Sequence, residues 1–143
     1  MVTDTADVLG VPPQPAPDAD SQGFWDATAN GELAICRCQS CRLWLHPPLE
    51  RCRACAGHTA FERVSGTGEV YTFIVVRQPS VPGYLENLPY VVVVVELDEQ
   101  KGLRLTSRLA EVDPGKVRVG MRVRAELVPL AGGDFTVPVF RPE

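Results

Sequence analysis

The sequence predicts a mainly β fold in which a short helix and a four-cysteine ribbon precede a small five-stranded barrel. Three observations carry this prediction. The chain contains 12 glycines and 13 prolines among its 143 residues, which favours strands and turns over a helical bundle. Four of its five cysteines form two Cys-x2-Cys pairs. After these pairs, β-branched segments alternate with polar turns, as expected of successive strands.

Composition limits the chain to one ordinary domain or two small modules, since compact domains most often contain ~100–150 residues. With 45% hydrophobic and 22% charged residues, the chain can bury a core. The longest apolar run, Tyr90 to Val95, is far shorter than the roughly 18 residues of a membrane helix, and no signal-peptide pattern opens the sequence. We therefore expect no membrane segment and a cytoplasmic location.

The charge distribution is unfavourable for binding nucleic acid. The formal net charge is −4, and residues 1–35 contain six acidic residues without a lysine or arginine. Residues 67–143 hold nine basic against ten acidic side chains, so no strongly basic face is predicted there. We expect no nucleic-acid partner on this ground.

The chain begins with a segment that we expect to be a flexible acidic tail, residues 1–22. Its prolines stand among acidic and small residues, with too little apolar surface to offset the entropy lost on ordering. A short helix is predicted over residues 23–32, because Ser21 is a favourable N-cap residue and an Asn-Gly pair ends the segment. So short a helix requires packing, and Phe24 and Trp25 must therefore contact the next domain or a partner.

Residues 33–65 form the predicted metal ribbon. Each Cys-x2-Cys pair places two thiolates at the tip of a tight turn, and two such tips can surround one tetrahedral ion. Zinc is expected rather than iron, which can use the same ligands, because four-cysteine ribbons in non-redox proteins are mostly zinc sites. Four protein ligands leave no open position, so the ion is expected to be structural. The predicted ligands are Cys38, Cys41, Cys52 and Cys55.

Three further residues near the pairs could bind metal but are expected to have other roles. Cys36 is predicted to be a small buried side chain, with a reactive thiol or an additional ligand as the alternatives. His46 and His58 flank the pairs and could replace a cysteine. Four thiolates already satisfy the ion, however, so we expect both imidazoles to lie outside the ligand set.

Five strands are predicted within residues 66–143. A near-continuous valine run is typical of a central strand, and the long connection before the fourth strand can hold one helical turn. Five strands with a break after the third match the OB-fold, a small Greek-key barrel. The predicted strands are residues 69–78, 90–97, 103–107, 121–129 and 135–140.

Large apolar residues outside the predicted barrel are candidate contacts to a partner. They are more numerous than a monomer of this size requires, and aromatic residues anchor interfaces. Several lie in the connection 79–89, which is long for a hairpin loop. The alternative is that they pack within the chain itself. The candidates are Phe24, Trp25, Trp44, Tyr84, Leu85 and Leu88.

The sequence shows no recognisable catalytic set. Both histidines of the chain lie in the ribbon segment, which leaves the barrel without the usual base at neutral pH. Neither a nucleophile-elbow motif nor a phosphate-binding loop is present. We therefore assign no catalytic residue and expect the chain not to catalyse a reaction alone.

Several motifs occur in an order that resembles a known family. They are Phe24-Trp25, Gly31-Glu32-Leu33, the two cysteine pairs around Pro47-Pro48, Gly66-Thr67-Gly68-Glu69-Val70-Tyr71, Pro89-Tyr90-Val91-Val92 and Val119-Gly120-Met121-Arg122-Val123. Together they resemble the acyl-CoA-associated, rubredoxin-like zinc-ribbon/OB-fold proteins, long catalogued as a domain of unknown function. The resemblance extends from about residue 22 to 142.

This resemblance implies a protein partner. Members of the family accompany thiolase-fold enzymes that act on acyl-CoA thioesters, including aldolases that cleave steroid side-chain CoA esters. The partner would hold the catalytic residues, and this chain would be an obligate accessory subunit that stabilises it and helps shape its CoA or acyl channel.

Two other functions remain open at the level of sequence. Zinc ribbons and OB-fold barrels both occur in modules that bind single-stranded nucleic acid. A rubredoxin-like electron carrier would use the same four cysteines to hold iron.

Overall fold

The computed structural model describes residues 10–78 and 81–143, which form one helix, a three-stranded sheet and a closed five-stranded barrel. This confirms the predicted fold class. No helix in the described part of the chain is long and apolar enough to span a membrane. The helix is α1 (Gln22–Ala29). The strands are β1 (Ala34–Cys38), β2 (Trp44–Leu45), β3 (Thr59–Arg63), β4 (Thr67–Val76), β5 (Tyr90–Leu97), β6 (Arg104–Leu109), β7 (Arg122–Pro129) and β8 (Thr136–Pro142).

Helix α1 begins where the sequence predicts, but Ser21 does not cap it with its side chain. The Ser21 hydroxyl instead accepts a hydrogen bond from the backbone N–H of Asp18, whose carboxylate accepts one from the Ser21 N–H. These paired bonds fix the turn that leads into the helix. At the other end, the backbone N–H of Asn30 donates to the carbonyl of Ala27.

The ribbon is a small antiparallel sheet in the order β2-β1-β3. Strand β1 is central, and its Cys36 pairs with Leu45 on one side and Phe61 on the other. The two-residue strand β2 lies shortly ahead of Pro47-Pro48. The sheet thereby joins the two cysteine turns to each other and to the barrel.

The barrel has the strand order β4-β5-β6-β8-β7 and closes through antiparallel pairing of β4 with β7. A parallel bridge between Leu109 and Phe140 joins β6 to β8. This arrangement of five strands, with a 3-10 turn at Pro114–Lys116 between the third and fourth, is that of an OB-fold. The turn lies in the connection for which the sequence predicts it.

The valine run occupies a central position, because β5 pairs with both β4 and β6. Only alternate residues enter the core, as the period of a strand in a closed barrel requires. Val91, Val93 and Val95 are buried, whereas Val92 and Val94 remain partly exposed on the outer surface.

The ribbon and the barrel share one hydrophobic core. Leu33, Ile35 and Trp44 from the ribbon pack in the same cluster as buried barrel residues such as Val93. The side chain of Gln100 binds the backbone of Trp44 twice, accepting from its N–H at 3.0 Å and donating to its carbonyl at 3.1 Å. The ribbon is therefore anchored on the barrel.

The flexible tail predicted over residues 1–22 requires correction for residues 11–20, which lie on the barrel. Pro12 is buried, and the Gln14 amide donates to the carbonyl of Ala131 at 2.9 Å. The segment crosses close to Gly83, where a Cβ atom would lie 2.4 Å from the Pro12 nitrogen and φ is +88°. Prolines lose less entropy on ordering than other residues, which offsets the low apolar content. Residues 1–9 lie outside the described residues.

An ion pair at the end of β5 predicts a pH dependence of stability. Arg122 donates to both carboxylate oxygens of Asp98, at 2.7 and 2.6 Å, and Thr67 donates to one of them. These bonds, that of Arg122 first, lower the pKa of Asp98 to about 2. Because this pKa lies below its unfolded value, the stabilisation is complete above about pH 5 and is lost as the pH falls towards 2.

The expected contribution of this pair is below about 1 kcal/mol, since both side chains are more than a third exposed. Urea unfolding of the wild type and of Asp98→Asn between pH 5 and 2 checks it. The difference in unfolding free energy between them should shrink as the pH falls. A constant difference would contradict the assignment.

Candidate metal centre and adjoining cavity

The four predicted ligands converge at the tips of the two cysteine turns. The Cys38 and Cys55 sulfurs lie 3.5 Å apart, the Cys41 and Cys52 sulfurs lie 3.6 Å apart, and all four lie within 4.8 Å of one another. Thiolates bound at ~2.3 Å to a tetrahedral ion are ~3.8 Å apart. The geometry of the four sulfurs therefore fits a tetrahedral metal ion.

The two turns share one backbone geometry. The carbonyl of Cys38 accepts from the N–H of Arg42 at 3.1 Å, and the carbonyl of Cys52 accepts from that of Ala56 at 2.8 Å. Arg42 and Ala56 both adopt positive φ, 69° and 60°, which reverses the chain after each pair. This repetition is why the spacing alone predicts the site, since each half is a local structure.

Backbone N–H groups point at the sulfurs and favour the thiolate form. Ser40 and Cys41 donate to the Cys38 sulfur at 3.4 Å each, and Ala54 donates to the Cys52 sulfur at 3.3 Å. Burial raises the pKa of the Cys38 thiol, but the N–H groups of Cys41 and Ser40, together with the Cys55 and Cys41 side chains, bring that pKa down to about 6. The Ala54 N–H likewise lowers the pKa of Cys52. Thiolate is the form that binds metal.

The remaining cysteine and the histidines lie outside the ligand group. Cys36 is buried, with 2% of its surface exposed, which confirms the prediction of a small buried side chain. Its thiol donates to the carbonyl of Leu49. His46 lines a cavity whose walls desolvate the imidazole and lower its pKa. His58 is exposed beside Arg51.

A cavity of about 750 Å³ lies between the N-terminal segment, α1, the ribbon and the barrel. Three of the six predicted partner contacts, Phe24, Trp25 and Tyr84, line it. The Trp25 ring meets the edge of Phe135 at 5.4 Å, and Tyr84 packs on Tyr90 at 5.5 Å. The structure thus brings together residues that lie far apart in the sequence.

The other three predicted contacts lie elsewhere. Trp44 is 6% exposed and belongs to the shared core, with the Arg37 guanidinium 4.3 Å from its ring centre, so it does not form part of an exposed surface. Leu85 and Leu88 are partly exposed around the 3-10 turn Leu85–Asn87. They remain candidate contacts.

Sequence reasoning missed the two walls of the cavity that come from β6 and the N-terminal segment. Arg108 lies on β6 at a position whose side chain points away from the barrel core. The alternation of side chains along the strand could have predicted this outward position from the sequence. Pro12 gave no such signal, because only the folded loops show what it covers.

The fold and the metal site define the class of protein: a four-cysteine, rubredoxin-like zinc ribbon joined to an OB-fold barrel. Comparison with family models agrees with this class. A model described as the rubredoxin-like zinc ribbon domain of ChsH2 matches residues 25–62, and one described as the C-terminal OB-fold domain of ChsH2 matches residues 61–128. The chain belongs to the ChsH2 (DUF35) family.

Two curated relatives and one solved structure illustrate this membership. A probable enoyl-CoA hydratase alpha subunit of Thermomonospora curvata is 38% identical over 132 residues, 91% of this chain. The 3-oxo-4,17-pregnadiene-20-carboxyl-CoA hydratase alpha subunit of Mycobacterium tuberculosis is 32% identical over 131 residues, again 91% of this chain. The chain spans 40% of the length of each. A solved chain of the Ltp2-ChsH2(DUF35) aldolase is 35% identical with a TM-score of 0.82, covering 90% of this chain and 98% of its own.

Proposed function

We propose that the chain is a non-catalytic accessory subunit of a thiolase-fold enzyme that acts on acyl-CoA, such as a retro-aldolase of a steroid or other side-chain acyl-CoA, or a thiolase or acyltransferase. It stabilises the catalytic subunit and helps shape the CoA or acyl channel. The observation that carries the proposal is the match over nearly the whole of a chain from the Ltp2-ChsH2(DUF35) aldolase. That aldolase is itself named as a two-component assembly.

The ion in the ribbon is proposed to be a single structural zinc. Four thiolates complete a tetrahedral shell and leave no position for water or substrate. Zinc has no redox chemistry, so a colourless protein with one zinc per chain is the expected preparation. A red, iron-containing protein would support the electron-carrier alternative instead.

Hydratase activity is not proposed for this chain, although two relatives carry that name. The chain corresponds to two fifths of each of those proteins. Of its two histidines, His58 stands beside Arg51 on the ribbon surface and His46 lines the cavity. Neither is paired with a carboxylate within the described ranges, 10–78 and 81–143.

The position of the N-terminal segment argues against a single-stranded nucleic acid as ligand. OB-folds bind such strands on the outer face of their second and third strands, between the loops 1–2 and 4–5. Here those loops contain Gly83 and Ala131, and residues 12–15 pass between them. The N-terminal segment therefore occupies part of the groove that a nucleic-acid strand would need.

Co-expression with a thiolase-like protein from the same genome tests the proposal. The two chains should co-elute in size-exclusion chromatography, and activity on acyl-CoA should require both. Replacing the two loop leucines together, Leu85→Glu with Leu88→Glu, is expected to abolish co-elution, because two charges would enter a half-buried apolar surface.

Val119→Glu is the matched control for this double variant. Val119 is also apolar and exposed, but it lies beside the start of β4, where the Gly120 N–H bonds the Val70 carbonyl, whereas the leucine loop follows the end of β4. This variant should still co-elute with the partner. Separate elution of the wild-type chains, with full activity in the large one alone, would disprove the accessory role.

A further inference from the structure

We propose that the cavity beside the metal ribbon binds an apolar carboxylate, with Arg108 holding the carboxylate and the aromatic wall holding the apolar body. The site lies within this one chain. It therefore does not depend on the proposed partner.

The size and the walls of the cavity suit an apolar molecule. Its volume of about 750 Å³ falls within the ~300–1,000 Å³ of small-molecule sites. Phe24 and Trp25 from α1 line one side, Leu105 and Val139 from the barrel line another, and Pro12 of the N-terminal segment also lines it. Burial of an apolar body against these side chains is the main source of affinity.

The charged residues that line the cavity indicate which polar group a ligand should carry. Although acidic residues outnumber basic ones in the chain, no Asp or Glu stands among the described residues that line the cavity. Arg108 and His46 do line it. Arg108 carries a permanent positive charge, whereas desolvation lowers the pKa of His46.

Arg108 is available to a ligand. It is half-buried, lies 5.9 Å above the Tyr84 ring, and forms no salt bridge with any acidic residue of the ranges 10–78 and 81–143. Arg104, four residues earlier on the same strand, lies 3.9 Å from Glu96 instead. A partly desolvated guanidinium without a counter-ion favours an anion, and its planar fork fits a carboxylate.

The cavity offers one arginine, and this number of positive charges favours a carboxylate over a phosphate as the ligand's anionic group. A phosphate dianion in a site of this kind needs several donors or charges, as in basic clusters. Here one guanidinium adjoins an otherwise uncharged and mostly apolar wall. The arrangement therefore fits one monoanionic head group on an apolar body.

Calorimetric titration of the full zinc-loaded chain with decanoate, 1-decanol and free coenzyme A tests the proposal. Decanoate should bind about tenfold more tightly than 1-decanol, as expected for one charge-assisted hydrogen-bond pair. Coenzyme A, which carries phosphates but no apolar tail, should not displace decanoate. Quenching or enhancement of Trp25 fluorescence, removed in Trp25→Phe, places the ligand in the cavity.

Two arginine variants on one strand make the test specific. Arg108→Gln should weaken decanoate binding about tenfold and leave 1-decanol unchanged. Arg104→Gln should change neither, because Arg104 does not line the cavity. If Arg108→Gln unfolds, Arg108→Lys retains the charge and should keep the preference for decanoate.

The proposal would be overturned by equal affinity for decanoate and 1-decanol, by an unchanged decanoate affinity in a folded Arg108→Gln, or by displacement by coenzyme A. Absence of any binding at millimolar decanoate would do the same. The binding assay contains no partner protein. A negative result in it would therefore not bear on the proposed accessory function, which the co-elution experiment tests separately.

Discussion

Cys38→Ser is expected to yield a protein without bound metal and without a folded ribbon. The Cys38 sulfur lies 3.5 Å from that of Cys55 and accepts two backbone N–H bonds, so it belongs both to the ligand set and to the turn. Structural zinc sites contribute about 10–16 kcal/mol of apparent binding free energy to folding. A small three-stranded sheet has little other stabilisation, since sheets of this size are marginal alone.

The measurements are metal content per chain, circular dichroism and co-elution with the proposed partner. Cys38→Ser should lose the bound metal, the circular-dichroism signal of the folded ribbon and co-elution with the partner together. Cys52→Ser, on the other turn, should show the same three losses. Cys36→Ser is the matched control, because Cys36 is equally buried but lies outside the ligand group. It should retain one metal ion per chain. A well-folded, metal-free Cys38→Ser that still supports partner activity would contradict this prediction.

The metal site was predictable from the sequence because each half of it is local. Cys-x2-Cys specifies a turn. The turns after Cys38 and Cys52 have the same i to i+4 backbone hydrogen bond and a residue of positive φ at the same position. The barrel strands were predictable for a similar reason. Alternation and β-branching in residues 90–97 depend on neighbours in the chain rather than on distant contacts.

The surroundings of the cavity were not predictable in this way. Pro12 and Gln14 are ordered by contacts with loops that follow them by many tens of residues, and composition alone makes that segment resemble a flexible tail. From the sequence, Trp44 is predicted to be a candidate partner contact, because it is a large aromatic residue outside the predicted barrel. Its place in the shared core depends on where the ribbon meets the barrel, which no local pattern specifies.

These long-range contacts matter for function because they make the ribbon, the N-terminal segment and the barrel one unit. The cavity takes its walls from all three, and Phe61 of the ribbon and Val139 of the barrel both face it. Phe61 also packs against the buried cysteines of the ribbon, so the metal site and the cavity share a neighbouring side chain.

Trp44→Ala is expected to lower the free energy of unfolding by about 3–5 kcal/mol, the usual cost of removing a buried Trp or Phe side chain. Trp44 packs with Ile35 of the ribbon and with the barrel core, and its backbone is held by Gln100. The cavity left by the ring therefore loosens the joint between the two modules. Unfolding followed by circular dichroism and by metal release should shift together.

The alternative role of Trp44, a direct contact to a partner, predicts a different result. A partner contact would leave the stability of the isolated chain unchanged and weaken only the complex. Trp25→Ala is the matched control, because Trp25 is partly exposed and lines the cavity. It should cost clearly less stability than Trp44→Ala in the isolated chain. An isolated Trp44→Ala with wild-type stability that fails to co-elute with the partner would overturn the structural role and restore Trp44 as an interface residue.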